Sequence, residues 1–154
     1  MDPYSTHLEA LVVAALMNNE DILELGCGHY STPILSAICK AQNRNLFIAA
    51  SNEKWLTQFK EYGECQLVND WHNYQFNKKY GMVFLDNEQF TRDRLMLIPK
   101  IMNMTDISVI HDANCMVNNP NWQIFTEKYE QIWFKKHLPH TVILIKKDEK
   151  IDIL

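Results

Sequence analysis

The chain has few glycines and no excess of positive charge. Only four of its 154 residues are glycine. Lysine and arginine number 15 against 19 aspartate and glutamate residues, which gives a formal net charge of -4. A chain with this balance has no general electrostatic attraction to nucleic acid or to anionic membranes. We therefore expect no nucleic-acid partner.

Long hydrophobic runs are also missing from the sequence. No apolar stretch reaches the roughly 20 residues that cross a membrane. The first residues, Met1-Asp2-Pro3, lack the basic start and the apolar core of a signal peptide. These two features predict a cytoplasmic protein with no membrane partner.

Paired cysteines are the third absence. The four cysteines are widely spaced, form no C-x-x-C pair and lie in or beside apolar segments: Cys27, Cys39, Cys65 and Cys115. Reduced cysteine packs well among apolar side chains. The pattern predicts four buried free thiols.

Length and hydrophobicity fit one domain covering residues 1–154. The chain is 47% hydrophobic, enough to bury one sizeable core, and it is too short for two ordinary domains. Helical and strand patterns alternate along it, which is typical of an α/β protein. Apolar runs at residues 46–50 and 82–85 predict strands covered on both faces, as in a parallel sheet. Residues 132–136 and 141–146 predict an antiparallel hairpin at one edge.

The apolar spacing gives an approximate position for each further element. Predicted helices cover residues 6–17, 33–40, 53–62, 92–102 and 122–129. The other predicted strands cover residues 22–25, 65–68 and 107–110. Pro99 is expected to kink the fourth helix because proline removes a backbone donor.

Two of the four glycines stand together after the first predicted strand. Gly26 and Gly28 follow an apolar strand, where glycine usually marks a forced turn or the approach of a ligand. Ser31 or Thr32 is predicted to cap the next helix, and Pro33 suits its first turn. The free N–H groups of such a helix start suit a carboxylate or a phosphate, so we expect the site here.

Four further strand ends carry polar residues. They are Ser51-Asn52, Asn69-Asp70-Trp71, Asp86-Asn87 and His111-Asp112. In an open parallel sheet, ligands bind outside the carboxyl ends of the strands. The sequence therefore predicts that one crevice collects these residues together with the glycine turn.

The segment Ile22-Leu23-Glu24-Leu25-Gly26-Cys27-Gly28 resembles the E-x-G-x-G cofactor motif of class I S-adenosylmethionine-dependent methyltransferases. The resemblance implies a Rossmann-like, doubly wound, mostly parallel sheet and S-adenosylmethionine as cofactor. It places the backbone of Gly26 and Gly28 against the methionine portion, and it implies that Cys27, Ser31 and Thr32 belong to the same cofactor site. Glu24 would steady the loop or contact the ammonium group through ordered water. Thr6-His7-Leu8 resembles an N-terminal helix that some members lay across the cofactor mouth.

Other segments extend the resemblance. Asn69-Asp70-Trp71 is similar to the family's adenine site, where Asp70 would accept from the exocyclic amine and Trp71 would cover the ring. The segment ending at Asp86 resembles the fourth-strand motif and adds Asp86 to the implied cofactor site.

One departure concerns the ribose. Family members commonly end the second strand with an acid that accepts from both hydroxyls, whereas this chain has Ala49-Ala50-Ser51-Asn52. Ser51 or Asn52 binds the ribose more weakly, Glu53 reaches back, or the site has lost this role. The last option favours a cofactor-binding module that regulates a partner, or that sequesters or degrades the cofactor. A nicotinamide fingerprint fits less well, because Ser31 replaces its third glycine and the ribose acid is again missing.

His111 and Asp112 are the predicted catalytic residues. A histidine within reach of an acceptor hydroxyl or amine can act as general base for methyl transfer to a small molecule. Asp86, Asp112 and Asn114 offer the oxygen donors that some O-methyltransferases of the family use for magnesium. Their spacing is not the adjacent Asp-Asn of those enzymes, so no metal is expected. Arg92 and Arg94 are expected on a solvated helix face.

Overall fold

The computed structural model of the protein describes residues 5–87 and 91–147. Its strands are β1 (Ile22–Leu25), β2 (Leu46–Ala50), β3 (Glu64–Leu67), β4 (Met82–Leu85), β5 (Ile107–Ile110), β6 (Tyr129–Phe134) and β7 (Thr141–Lys146). Its α-helices are α1 (Leu8–Ala15), α2 (Ser31–Ala41), α3 (Glu53–Thr57), α4 (Thr91–Met104) and α5 (Pro120–Thr126).

All seven strands form one sheet in the order β3-β2-β1-β4-β5-β7-β6. The first five strands in this order are parallel, and β7 pairs antiparallel with both β5 and β6. The chain starts at the centre of the sheet, runs outward to β3 and then returns to β4 on the other side of β1. This reversal of strand order gives the predicted Rossmann-like, doubly wound α/β fold with an antiparallel C-terminal hairpin.

Alternate residues of the strands point into two separate hydrophobic cores. On one face, Ile22, Ile48 and Phe84 pack with residues of α1, α2 and α3. On the other face, Leu23 and Leu85 pack with residues of α4 and α5. Every residue of β1, β4 and β5 is buried, because these central strands are covered on both sides.

Local signals explain most helix ends. Asn52 caps α3, since its side chain accepts a hydrogen bond from the Trp55 backbone N–H at 3.0 Å. Asn119 caps α5 in the same way, and Pro120 occupies the first turn. Asn43, just after α2, takes the left-handed conformation that asparagine tolerates at such a position. Pro99 lies inside α4, which continues past it to Met104.

Several predicted boundaries moved. The predicted cap at Ser31 or Thr32 is wrong: both residues lie inside the first turn of α2, and Tyr30 precedes the helix without a side-chain cap. α1 and α3 are shorter than predicted, because turns take up their last residues. α5 begins and ends earlier, since Tyr129 already belongs to β6.

The cysteines are free in the structure, and their burial differs from one to the next. Cys27 and Cys39 are buried, as predicted, whereas Cys65 is half-buried and Cys115 is exposed. Burial raises the pKa of the Cys39 thiol to about 11. None of the helices within residues 5–87 and 91–147 has the length and hydrophobicity needed to cross a membrane.

Candidate functional site

The site lies where the loops after β1, β4 and β5 meet. Leu25 pairs with Leu85, and Leu85 pairs with Ile110, so the three strands end side by side. Gly26, Asp86 and His111 are the next residues along the chain in each case. The parallel register therefore brings three polar loops to one edge of the sheet, as predicted for this fold.

Gly26 and Gly28 are required for different reasons. Gly26 has a φ of +97°, and a Cβ at this position would lie 2.2 Å from the Asp86 carbonyl oxygen. The close approach of the chain after β4 therefore requires a residue without a side chain at this position. A Cβ at Gly28 would meet only the Ser31 Oγ, at 3.5 Å, so the space above Gly28 is open. Of the two, Gly28 is the position whose lack of a side chain leaves room for a ligand.

Contacts from two helices hold the glycine turn, Gly26-Cys27-Gly28. The Thr32 hydroxyl accepts from the Gly28 backbone N–H at 3.0 Å, and the Gly28 carbonyl accepts from the Thr32 N–H at 3.1 Å. The Trp55 indole N–H donates to the Cys27 carbonyl at 2.7 Å. The turn is therefore fixed in one conformation before any ligand arrives.

Glu24 lies beneath this turn and is completely buried. Burial raises its pKa to about 8, although the nearby hydroxyls of Ser31 and Thr32 oppose the shift. Neither hydroxyl completes a hydrogen bond of ordinary geometry with a carboxyl oxygen of Glu24. A neutral, buried carboxylic acid fits the expected role of steadying the loop better than the expected contact with an ammonium group through ordered water.

The three residues considered for the ribose, Ser51, Asn52 and Glu53, differ in exposure and contacts. Asn52 is exposed, but its side-chain oxygen is engaged as the cap of α3. Ser51 is half-buried after β2, and Glu53 is exposed in the first turn of α3. The carboxylate nearest to the end of β2 along the chain is that of Glu53, in the first turn of α3.

Asp70 and Trp71 differ in environment. Asp70 is exposed, and its carboxylate accepts from the His72 backbone N–H at 2.8 Å and from the Asn73 amide at 2.6 Å. The bond from the His72 N–H lowers the pKa of Asp70. Trp71 is 3% exposed and packs in the α4 and α5 core beside Tyr74. The ring is thus occupied by core packing, and an adenine role for this pair stays a prediction.

At the ends of β4 and β5, Arg94 organises a cluster of charged residues. Its guanidinium pairs with Asp86 at 2.9 Å and with Asp112 at 2.6 Å. It also donates to the carbonyl oxygens of Asn87 and His111. The expectation that Arg94 lies on a solvated face is wrong, because α4 presents it to the strand ends and its side chain is 10% exposed. The side chain of Arg92 lies outside the described part of the chain.

His111 is bonded on both ring nitrogens. Its Nδ1 lies 3.1 Å from Asp86 Oδ1, and its Nε2 lies 3.1 Å from the Thr6 hydroxyl. Asp112 is farther away, at 4.0 Å from Nδ1. The carboxylate that orients His111 is therefore Asp86, and Asp112 binds Arg94 instead.

His7, at the start of α1, completes the cluster. Its ring is 4% exposed and packs edge-on against His111, with ring centroids 4.7 Å apart. Burial, reinforced by the charge of a protonated His111, lowers the pKa of His7 to about 4. We call His7, Asp86, Arg94, His111 and Asp112 the charged cluster.

Asp112 and Asn114 shape the chain after β5. Asp112 has a φ of +55°, a left-handed conformation that is uncommon for a residue other than glycine and that often occurs at functional sites. The Asn114 side-chain oxygen accepts from the His140 backbone N–H at 2.9 Å. Asp112 is thus paired with Arg94, and Asn114 with the β6–β7 connection. Two of the three side chains that could supply oxygen ligands to magnesium therefore already have protein partners.

The roles of His7 and Arg94 in the charged cluster were not predicted from the sequence, nor was that of Thr6, which bonds to His111. Thr6-His7 was noted only as part of a covering helix, and Arg94 only as a surface charge. Apolar helix positions surround Arg94, since Leu95, Leu97 and Ile98 are all buried. That setting was the one available signal that α4 turns Arg94 inward.

At the level of sequence, no protein-family model and no curated protein matches the chain. Solved structures do match. An S-adenosylmethionine-dependent O-methyltransferase from Thermotoga maritima aligns with a TM-score of 0.66 and 11% identity over 95% of this chain and 66% of that one. A methyltransferase from Podospora anserina, bound to SAH, aligns with a TM-score of 0.64 and 11% identity over 90% of this chain and 76% of that one.

A third match is coclaurine N-methyltransferase, bound to N-methylheliamine and SAH. It gives a TM-score of 0.53 and 16% identity over 68% of this chain, and the chain spans only 35% of its length. The matches show that the chain has the class I methyltransferase fold. One of these enzymes is an O-methyltransferase and another an N-methyltransferase, so the shared fold does not specify the acceptor.

Proposed function

We propose that the protein binds S-adenosylmethionine over the glycine turn and transfers its methyl group to a small acceptor in the same crevice. One observation carries this proposal: an open glycine turn and a buried histidine–carboxylate pair lie at adjacent strand ends of a class I methyltransferase fold. The bound cofactor supplies an electrophilic methyl group on a sulfonium sulfur. The space above Gly28, which a Cβ would enter without meeting backbone, fits such a ligand.

His111 has the contacts of a general base. When Nδ1 donates its proton to Asp86, the lone pair of Nε2 faces the Thr6 hydroxyl. This hydroxyl donates to the Pro139 carbonyl oxygen at 3.1 Å, and it passes a proton to Nε2 when its O–H turns to that nitrogen. His111 is 5% exposed and Thr6 is half-buried. A proton leaving the acceptor therefore reaches Nε2 through the Thr6 hydroxyl, and Asp86 stabilises the imidazolium that forms. Arg94 fixes Asp86 and Asp112 and so keeps His111 in position.

Calorimetry with S-adenosylmethionine and SAH tests the cofactor site. We expect saturable binding by the wild type and no binding by Gly28→Val, whose branched side chain fills the open space above the turn. Gly28→Ala is the matched control, because its Cβ makes only an ordinary contact and should weaken binding less. A millimolar dissociation constant corresponds to a binding free energy of about -4 kcal/mol. If the wild type shows no saturable binding at millimolar ligand, the proposal is contradicted.

Turnover tests the base. Small hydroxyl and amine compounds are screened for SAH production, and the best acceptor is then used with His111→Ala. We expect turnover to fall by roughly a hundredfold to ten-thousandfold, with cofactor affinity nearly unchanged. An unchanged rate would make His111 a structural residue.

The alternative function is a cofactor-binding module without transferase activity, which regulates a partner or sequesters or degrades the cofactor. The residues after β2 favour this alternative, because Ser51 and Asn52 have no carboxylate to accept from ribose hydroxyls and the Asn52 side-chain oxygen already caps α3. Incubation of the protein with S-adenosylmethionine and no acceptor distinguishes the two functions. Cofactor breakdown, or binding with no transfer to any screened acceptor, would favour the module.

A further inference from the structure

Three side chains that commonly bind metals converge where α1 meets the ends of β4 and β5. His7 precedes α1, Asp86 follows β4 and His111 follows β5. One donor atom from each lies within 4.8 Å of the other two. In the sequence, 79 positions separate His7 from Asp86 and 25 separate Asp86 from His111, so only the fold brings the three residues together.

His7 is the unusual member of the three. Its ring is buried against Phe84 and His111, yet neither ring nitrogen has a hydrogen-bond partner among residues 5–87 and 91–147. A buried polar group without a partner is unfavourable, and nearly all such groups in proteins are bonded. A ligand that accepts an imidazole lone pair would remove this penalty.

We propose that His7, Asp86 and His111 bind one divalent transition-metal ion, such as Zn²⁺. Two imidazoles and one carboxylate are a donor set typical of Zn²⁺ and of non-haem Fe²⁺, whereas Mg²⁺ and Ca²⁺ prefer sets made of oxygen. Three protein ligands leave a coordination position open for water or for an oxygen or nitrogen atom of a small molecule. The site differs from the oxygen-rich set Asp86, Asp112 and Asn114, whose last two members are engaged elsewhere.

The surroundings of the three ligands suit a cation. Two carboxylates, Asp86 and Asp112, face one guanidinium, that of Arg94, so their combined formal charge is negative. The described hydrogen bonds of Asp86 both use Oδ1, so Oδ2 is the atom that would bind the metal. Arg94 then acts as a partner that orients a metal-binding carboxylate. His111 exchanges one of its two present contacts, to Asp86 or to Thr6, for the metal bond. The metal-bound state then has no free imidazole lone pair, so it is distinct from the state in which His111 acts as a base.

The metal site does not depend on the proposed methyl transfer, because metal binding is measured without cofactor or acceptor. Protein freed of metal with a chelator and then dialysed is titrated with Co²⁺, whose visible absorption reports its ligands. We expect one equivalent to bind, Zn²⁺ to displace it, and millimolar Mg²⁺ to leave it in place. Thiolate charge-transfer bands would instead indicate binding at a cysteine and would overturn the proposal.

Variants identify the ligands. His7→Phe keeps an aromatic ring against Phe84 and removes both nitrogens, so we expect Co²⁺ affinity to fall by more than about a hundredfold. His137→Phe is the matched control in the β6–β7 connection and should leave affinity unchanged. Wild-type affinity in His7→Phe, or no stoichiometric Co²⁺ binding by the wild type, would overturn the proposal.

A measurement on the wild type decides the matter if His7→Phe fails to fold. Co²⁺ shifts the NMR signals of protons close to it, including the ring N–H protons of its histidine ligands. We expect shifted ring N–H signals from two histidines, which disappear when Zn²⁺ replaces Co²⁺. Signals from one histidine, or from none, would overturn the assignment.

Discussion

The two halves of the crevice are built differently. At the end of β1 the site is a backbone turn, with glycines at the close approach and at the open position, held by Thr32 and Trp55. At the ends of β4 and β5 it is a set of side chains, in which a buried arginine joins two aspartates beside two histidines. A backbone turn depends on neighbours in sequence, whereas the charged cluster depends on packing between distant segments.

This difference separates the roles of the two halves. A fixed turn with open space above it can hold a ligand without selecting its chemistry, because backbone groups are the same in every protein. Buried ionisable side chains can move protons or bind metal, because their environment shifts their affinity for charge. The variants below test whether the two halves are independent, in order of decreasing expected effect.

The largest effect is expected from Gly26→Ala. The added Cβ would lie 2.2 Å from the Asp86 carbonyl oxygen, and the left-handed φ would be strained as well. We expect a loss of more than about 5 kcal/mol in the free energy of unfolding, or failure to fold. Gly28→Ala, measured by the same urea titration, should change stability by less than about 1 kcal/mol. Equal losses would show that the two glycines are not distinct.

Glu24→Gln should change how stability depends on pH. Burial raises the pKa of Glu24 from 4.5 to about 8, so the folded protein holds a proton that the unfolded chain releases. Stability from this residue is complete below pH 4.5 and is lost as pH rises through 8, by a total on the order of 4 kcal/mol. The free energy of unfolding is measured from pH 4 to pH 9. We expect Glu24→Gln to lack the part of the fall with pH that comes from Glu24. A parallel profile in the two proteins would contradict the burial of a neutral acid.

Arg94→Met tests the charged cluster. It leaves two carboxylates and two carbonyl oxygens without their shared donor, so we expect a loss of about 3 kcal/mol in the free energy of unfolding. The control is Lys78→Met, which breaks the pair with Asp21 at the surface, where the lysine side chain is 37% exposed. That pair should contribute less than about 1 kcal/mol. If the halves are independent, Arg94→Met leaves cofactor affinity unchanged in calorimetry.

The smallest effect is expected from Trp55→Phe. The change removes the indole N–H that donates to the Cys27 carbonyl at 2.7 Å, which should lower stability by about 1 kcal/mol and weaken cofactor binding. Trp133→Phe is the control, because its N–H bonds only Gln131 in the exposed edge strand. A fall in cofactor affinity with Trp133→Phe but not with Trp55→Phe would contradict the role of Trp55 in fixing the turn.

The elements that could be predicted are those with local causes. β1, β2, β4 and β5 were predicted with the bounds observed, because short apolar runs between turn residues indicate buried strands. β3 shifted by one residue, as expected for an edge strand with an exposed, polar sequence. The helices fared less well at their ends. Thr32, for example, lies in the first turn of α2, where its hydroxyl accepts from the Gly28 backbone N–H instead of capping the helix.

The candidate site was predictable in position and less so in its members. Polar residues after apolar strands indicated which strand ends carry the candidate site, and Asp86, His111 and Asp112 lie close together there. The pairing among them was not, since Asp86 rather than Asp112 contacts His111. Trp71 illustrates the same limit: its sequence position suits a ligand platform, and its ring lies in the core.

By itself, the sequence determined the order of strands and helices, the turn at Gly26 and the polar ends of the parallel strands. These features depend on apolar periodicity and backbone freedom, which act over a few residues. Only the tertiary structure decided that Glu24 is buried without a charged partner, that Arg94 turns inward, and that His7 meets His111. Burial and charge pairing depend on which distant segments pack together, because the free energy of a charge is set by everything around it.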